Sequence, residues 1–210
     1  MNTKGMFVAA AAAMAMAAPL EAATVANENF EAGASGWTNN LTEDPGANTG
    51  GFTRHLGRYG SGGTTSKTFA LSGTQTGVTV SFDFYRIDSW DGELFRATIT
   101  DGVNTFTNST QGFYYDGGPT NIYNQTWSDA IKPITFNFAT TASSITLSFS
   151  STLDQDVTDE AWGVDNLLIT DNAPGGVPEP SAWALLIIGF GAVGGALRRG
   201  AKPRAALAHG

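Results

Sequence analysis

Two acidic stretches hold the side chains best suited to chemistry. Residues 87–93 read IDSWDGE and contain Asp88, Asp91 and Glu93. Residues 153–166 read LDQDVTDEAWGVDN and contain Asp154, Asp156, Asp159, Glu160 and Asp165. Calcium takes about six to eight oxygen ligands, chiefly carboxylates and carbonyls on loops, so the two stretches predict a structural calcium site. Its candidate ligands in these stretches are Asp88, Asp91, Asp154, Asp156, Asp159, Glu160 and Asp165. The second stretch lacks the glycine and final glutamate of an EF-hand loop. The competing interpretation is that the acids cap turns and keep strand edges soluble.

The same acids define a catalytic alternative. A glycan hydrolase needs two carboxyl groups about 5–9.5 Å apart, a role open to Glu160 with Asp88 or Glu93. Acids in exposed turns stay ionised, which does not suit a general acid, and we therefore expect no enzyme. The chain has no cysteine, and its two histidines are His55 and His209. Thiolate catalysis and a cysteine-bound metal are thereby excluded, and a zinc site built on histidine is disfavoured.

Aromatic side chains are the second kind of candidate site. Flat rings stack on the faces of sugars, so exposed aromatics in loops can form a carbohydrate-binding platform. Core packing is the alternative role for such rings, and we expect it for Trp37, Trp90 and Trp162. The candidate ligand-binding residues are Tyr114, Tyr115 and Trp127. For these three, sugar binding and core packing remain equally open.

The elements that must position these residues are strands. VTVSFDFY (residues 78–85), ITFNF (134–138) and SITLSFS (144–150) alternate apolar and polar residues with period 2. LFRATIT and VNTFT flank Asp101-Gly102 and predict a hairpin with a type I′ turn. Further strand candidates are Phe30-Glu31, residues 65–71 and residues 164–170, whereas the glycine-rich YGSGGTTSK (59–67) predicts a flexible loop. The sequence predicts an all-β fold, a single antiparallel jelly-roll-like β-sandwich.

Both ends of the chain are typical of export signals. Residues 1–22 combine Lys4, an apolar alanine-rich run and a small-residue exit, which predicts a signal peptide. The β-sandwich domain is expected at 24–171, a Pro/Gly-rich linker at 172–180, a transmembrane helix at 181–199 and a tail at 200–210. Between residues 24 and 177 there are 17 acidic and 6 basic side chains, a net charge of −11. Such a surface repels phosphate backbones and excludes nucleic acid as a partner.

The C-terminal segment VPEPSAWALLIIGFGAVGGALRRG (177–200) resembles the PEP-CTERM sorting signal in its PEPxxWA variety. The resemblance rests on a proline-glutamate-proline motif, a short apolar span and a basic end: Pro178, Glu179, Pro180, Trp183, Ala184, Gly189, Phe190, Gly191, Arg198 and Arg199. It implies export from a Gram-negative cell, anchoring through the C-terminal helix, and recognition by exosortase after signal peptidase has acted. The span has 16 uncharged residues (182–197), close to the lower limit of about 17 for crossing a bilayer.

The body of the chain is similar to concanavalin-like and carbohydrate-binding-module β-sandwiches. The similarity rests on NFE (29–31), on Gly36-Trp37 and on WGVDNLLI (162–169). It implies a structural calcium that fastens the terminal strands together through Glu31 and Asp165.

These features together predict a protein of the cell envelope, cell surface or secreted matrix. We expect a non-enzymatic structural or adhesive role with polysaccharide as the partner and calcium as the structural cofactor. The rival function is an envelope glycan hydrolase that uses the acidic loop residues.

Overall fold

The computed structural model describes residues 22–46, 50–113, 122–123, 127–172 and 187–191. The chain divides into two compact units. One comprises Glu21–Pro174 and contains every strand given below. The other comprises Met1–Leu20 and Gly175–Gly210, and its described part is helical at residues 187–191. Within the described residues no helix is both long and apolar enough to cross a membrane.

The strand-bearing unit is an antiparallel β-sandwich, which confirms the predicted fold class. Its larger sheet has the order β2-β3-β10-β5-β8, with β1 beside the second half of β10, and its smaller sheet has the order β4-β9-β6-β7. Non-consecutive neighbours in both sheets are typical of jelly-roll topology. The strands are β1 Thr24–Glu28, β2 Thr42–Glu43, β3 His55–Tyr59, β4 Thr64–Ala70, β5 Gly77–Asp88, β6 Asp91–Thr100, β7 Thr105–Phe113, β8 Ala130–Ala139, β9 Ser144–Ser151 and β10 Glu160–Asn172.

The core lies between the two sheets and is rich in aromatic rings. The alternation read from the sequence is confirmed, because the alternate apolar residues of three strands are buried. They are Val78, Val80, Phe82 and Phe84 of β5, Ile134, Phe136 and Phe138 of β8, and Ile145, Leu147 and Phe149 of β9. Phe95 of β6 stacks on Phe84 with ring centroids 4.2 Å apart. The three tryptophans expected in the core are buried there: Trp37, Trp90 and Trp162.

Three local predictions are wrong. The predicted hairpin of β6 and β7 is present, but four residues (101–104) join the strands instead of a two-residue type I′ turn. Within this turn the carboxylate of Asp101 accepts the N–H groups of Val103 and Asn104. Phe30 has a φ of 55° and, with Glu31, follows β1 as a turn. The segment predicted as a flexible loop, residues 59–67, contains the end of β3, a tight turn and the start of β4.

Candidate functional site

Three carboxylates from different parts of the sequence meet at one end of the sandwich. Asp91 and Glu93 lie at the start of β6, and Glu160 begins β10. One oxygen of each lies within 4.8 Å of the other two. Among the described residues this is the one group of three or more acidic, histidine or cysteine side chains with metal-ligand spacing. We call it the carboxylate triad.

The turn between β5 and β6 positions the two acids of β6. The buried indole of Trp90 donates from Nε1 to the carbonyl of Ala161 at 2.8 Å, which fastens this turn to β10. Gly92 has a φ of 136°, a conformation that side-chain-bearing residues rarely adopt, and its N–H donates to Oε2 of Glu93 at 3.1 Å. The N–H of Asp91 donates to the same oxygen at 2.7 Å. These contacts hold Glu93 beside Asp91.

The loop between β9 and β10 positions Glu160. The N–H groups of Asp159 and Glu160 both donate to the carbonyl of Asp156 at 3.0 Å, so the chain turns tightly just before β10. Ser89 on the facing turn donates from Oγ to the carbonyl of Asp159 at 3.0 Å. Glu160 is then directly opposite Asp88 in the pairing of β10 with β5.

Glu160 is fully buried, and neither of its carboxylate oxygens has a hydrogen-bond partner. Burial, followed by the charges of Glu93, Asp91, Asp154 and Asp159, raises its pKa to about 7. Burial also raises the pKa of Glu93, with a contribution from a hydrogen bond to the side chain of Asp91. A site that disfavours negative charge and offers only oxygen atoms suits a hard cation.

Asp88 lies next to the carboxylate triad but outside it. Its side chain is buried, Oδ1 has no hydrogen-bond partner, and burial raises its pKa to about 6. Its main-chain N–H donates to Oδ1 of the buried Asp129 at 2.9 Å, and its carbonyl accepts from Arg86 at 2.6 Å. Glu160 and Asp88 are thus partners in the register of β10 with β5, and both are buried away from solvent.

The other predicted calcium ligands of the second acidic stretch are exposed on the loop before β10. They are Asp154, Asp156 and Asp159, and none belongs to the carboxylate triad. The carboxylate of Asp156 accepts from the N–H and the hydroxyl of Thr158. Asp154 and Asp159 act on Glu160 through their charge.

Glu31 and Asp165, the predicted terminal-strand ligands, are also outside the triad. Asp165 is buried, and protein groups surround its carboxylate: Oδ2 accepts from Thr53 at 2.6 Å and from Tyr85 at 2.9 Å. Its Oδ1 accepts from the N–H of Asn166 at 2.7 Å. Glu31 is exposed in the turn that follows β1.

A lysine neutralises an acid on the N-terminal strand. The ammonium of Lys67 on β4 lies 2.5 Å from Oε1 of Glu28 and donates to the carbonyl of Ser35 at 2.8 Å. The other oxygen of Glu28 accepts from Nε1 of buried Trp37 at 2.8 Å. This arrangement, the Lys67 clamp, fastens β1 and the following loop to the smaller sheet.

Of the three candidate ligand-binding aromatics, Trp127 is described, and Tyr114 and Tyr115 lie outside the described residues. The indole of Trp127 is 43% exposed, just before edge strand β8. Its main-chain N–H hydrogen-bonds the carboxyl of Asp88. The main chain of Trp127 is thus attached to the end of the sandwich where the carboxylate triad lies.

A polar cluster not predicted from the sequence lies around β3. Buried His55 donates or accepts through Nε2 with the hydroxyl of Tyr123 at 3.3 Å, and burial lowers the pKa of His55. The guanidinium of Arg58 lies 4.7 Å from the ring centroid of Tyr123. Gly163 on β10 permits this packing, because a Cβ there would lie 2.2 Å from the imidazole. No periodic pattern in residues 55–59 signals a strand, so this cluster had no clear sequence signature.

Glu93 completes the carboxylate triad, although the sequence suggested it as a catalytic acid and not as a metal ligand. Its signal was its place two residues after Asp91 in IDSWDGE.

Among the sorting-signal residues, Gly189, Phe190 and Gly191 fall in the helical segment at 187–191. The remaining seven lie outside the described residues: Pro178, Glu179, Pro180, Trp183, Ala184, Arg198 and Arg199.

No protein-family model matches this chain, and no curated protein matches it. Solved structures with a similar arrangement include the CBM22-1 xylan-binding domain of Xyn10C from Paenibacillus barcinonensis. It is 15% identical, with a TM-score of 0.46 over 75% of this chain and 99% of that domain. The K3 cleaved adhesin domain of Lys-gingipain from Porphyromonas gingivalis is 15% identical, with a TM-score of 0.41 over 70% of this chain and 99% of that one. At these identities and TM-scores the likenesses carry no argument about ligand or role.

Proposed function

We propose that this protein is a non-catalytic, exported β-sandwich that binds polysaccharide in a structural or adhesive role at the cell surface or in the secreted matrix. The observation that carries the binding role is the exposed indole of Trp127. An aromatic ring that presents a large exposed surface can stack on a sugar ring, and the attachment of its backbone at Asp88 holds it in place. Calcium is the proposed structural cofactor of the domain.

The experiment compares the truncation of two aromatic side chains of similar exposure. Trp127→Ala removes the proposed platform, whereas Phe106→Ala removes a side chain that is 40% exposed on β7 of the other sheet. Retention of the full-length protein is measured on insoluble xylan, cellulose and β-glucan, and by affinity electrophoresis in the soluble forms. We expect Trp127→Ala to weaken binding about tenfold or more, as truncation of an aromatic anchor does, and Phe106→Ala to leave it unchanged. Equal retention of both variants, or no retention of the wild type on any of these glycans, overturns the binding role.

The proposed destination rests on the C-terminal segment. Pro178-Glu179-Pro180, the apolar run and Arg198-Arg199 support recognition by exosortase after export, with release or transfer of the sandwich beyond the inner membrane. Replacing residues 178–180 by alanine should leave the protein in the inner-membrane fraction of its host. An unchanged fractionation pattern contradicts this route, whatever the binding result.

One observation favours the rival function of a glycan hydrolase. The raised pKa of Glu160, about 7, is suitable for a general acid, and Asp88 and Glu93 are its neighbours. Against this, Glu160 and Asp88 are buried, whereas a catalytic pair must reach the glycosidic oxygen and a water molecule. Release of reducing sugar by the wild type, abolished in Glu160→Gln protein that remains folded, would establish the enzyme and refute the non-catalytic role.

A further inference from the structure

We propose that Asp91, Glu93 and Glu160 bind one calcium ion. This ion joins the two sheets at the end of the sandwich where strands β6 and β10 both begin. We rest this inference on the proposed scaffold function, since a structural cation is part of that function. It adds the ligands, the place of the ion and the elements that the ion connects.

The strongest reason is the state of Glu160. A buried carboxylate without a hydrogen-bond partner is costly, and structures of folded proteins keep few of them. The described charges that act on Glu160 most strongly are all acidic: Glu93, Asp91, Asp154 and Asp159. A cation among the triad oxygens supplies the missing partner and offsets the repulsion among these groups.

The ligand set selects the class of ion. The triad has only carboxylate oxygens, which suit calcium, magnesium and manganese better than metals that prefer imidazole or thiolate. Magnesium demands nearly ideal octahedral geometry, whereas calcium accepts irregular arrangements of about six to eight oxygens. Asp91 is exposed, so water can reach the ion and fill further coordination positions. Calcium is therefore the ion that the site fits best.

The place of the triad gives the ion a structural task. Asp91 and Glu93 belong to the smaller sheet through β6, and Glu160 belongs to the larger sheet through β10. A shared ion bridges the two sheets beside the hydrogen bond that Trp90 donates to the carbonyl of Ala161. It also fixes the turn at Trp90 against the loop before Glu160. Because the ion binds the native state and not the unfolded chain, it stabilises the fold by mass action.

The test uses the full-length protein, first stripped of metal with EDTA and then titrated with calcium chloride. Calorimetry gives the affinity and circular dichroism the melting temperature. We expect calcium at a hundredfold excess over its Kd to raise the melting temperature by about 5–10 °C. Asp91→Asn and Glu160→Gln should each weaken calcium binding about tenfold or more. Glu160→Gln, which removes the buried charge, should melt no lower than the wild type in EDTA.

Glu31→Gln is the matched control, because it removes an acid that lies outside the triad. A calcium response kept in Glu31→Gln and lost in Asp91→Asn supports the site. A response lost in Glu31→Gln and kept in Asp91→Asn overturns it and moves the ion to the terminal strands. The proposal is also overturned if calorimetry detects no heat of calcium binding to the wild type and calcium leaves its melting temperature unchanged.

Glycan retention of the same samples in EDTA separates this inference from the proposed function. Retention without any calcium response refutes the calcium site alone, and leaves the polysaccharide-binding role standing. A calcium response without retention on any glycan refutes the binding role alone.

Discussion

The Lys67 clamp gives a quantitative test of what fastens the N-terminal strand. Lys67→Met removes the ammonium but keeps a long unbranched stem. It takes away the ion pair with Glu28 at 2.5 Å and the hydrogen bond to the carbonyl of Ser35 at 2.8 Å. Hydrogen bonds to charged groups contribute about 1.5–3 kcal/mol each. Both side chains of the pair are 22% exposed, so water screens part of the attraction, and we expect a total loss of about 2 kcal/mol.

This loss converts into a measurable shift. For a domain of this size, each 1 kcal/mol lowers the melting temperature by about 2–4 °C, which predicts a fall of about 4–8 °C for Lys67→Met. The assay is thermal unfolding followed by circular dichroism, repeated at high salt. Salt should reduce the difference between wild type and variant only in part, because the pair is mostly shielded from solvent.

The matched control is Arg54→Met, which breaks the ion pair between Arg54 and Asp44 at 2.9 Å. Those side chains are 34% and 48% exposed, so the expected loss is below about 1 kcal/mol. Equal shifts for the two variants would refute the reasoning that burial makes the Lys67 clamp the stronger contact. A Lys67→Met variant as stable as the wild type would show that β1 is held by strand pairing and apolar packing alone.

Two further predictions concern the hairpin and the core. The N–H groups of Asn104 and Val103 hold the pKa of Asp101 far below its usual range, so the folded state favours the charged form. Stability from this contact is therefore present above about pH 4 and is lost as the pH falls further. In Asp101→Asn the melting temperature should fall less steeply between about pH 4 and lower pH than in the wild type. An equal fall in both proteins would contradict the assignment. Phe95→Ala, which opens a cavity beside Phe84, should lower the free energy of unfolding by about 3–5 kcal/mol in urea titrations. Val103→Ala, at a side chain that is 90% exposed, should change it by less than about 0.5 kcal/mol, and similar losses in the two variants would argue against a packed core at Phe95.

Much of the fold could be predicted because strand periodicity is a local property. Val78, Val80, Phe82 and Phe84 alternate with polar residues, and a half-buried strand places such residues on one face. The prediction failed where the pattern is interrupted. Strand β3, residues His55–Tyr59, is buried almost throughout and contains Gly57, so it shows no alternation.

The candidate site was only partly predictable. The acidic stretches were recognisable from composition, but eight acids were suggested as calcium ligands, and the structure brings two of them, Asp91 and Glu160, into the triad with Glu93. Which acids meet depends on the pairing of β10 with β5 and on the turn at Trp90, and these are contacts between distant parts of the chain. Sequence spacing does not encode those distances.

The sequence by itself determined the strand pattern of the body, its acidity and the residues of the proposed sorting signal, because each depends on neighbouring residues alone. The tertiary structure decided that Glu160 is buried without a partner, that Glu28 pairs with Lys67 and that Trp127 remains exposed. Burial and pairing are properties of the packed sheets, since they arise only when residues far apart in the chain exclude water from one another.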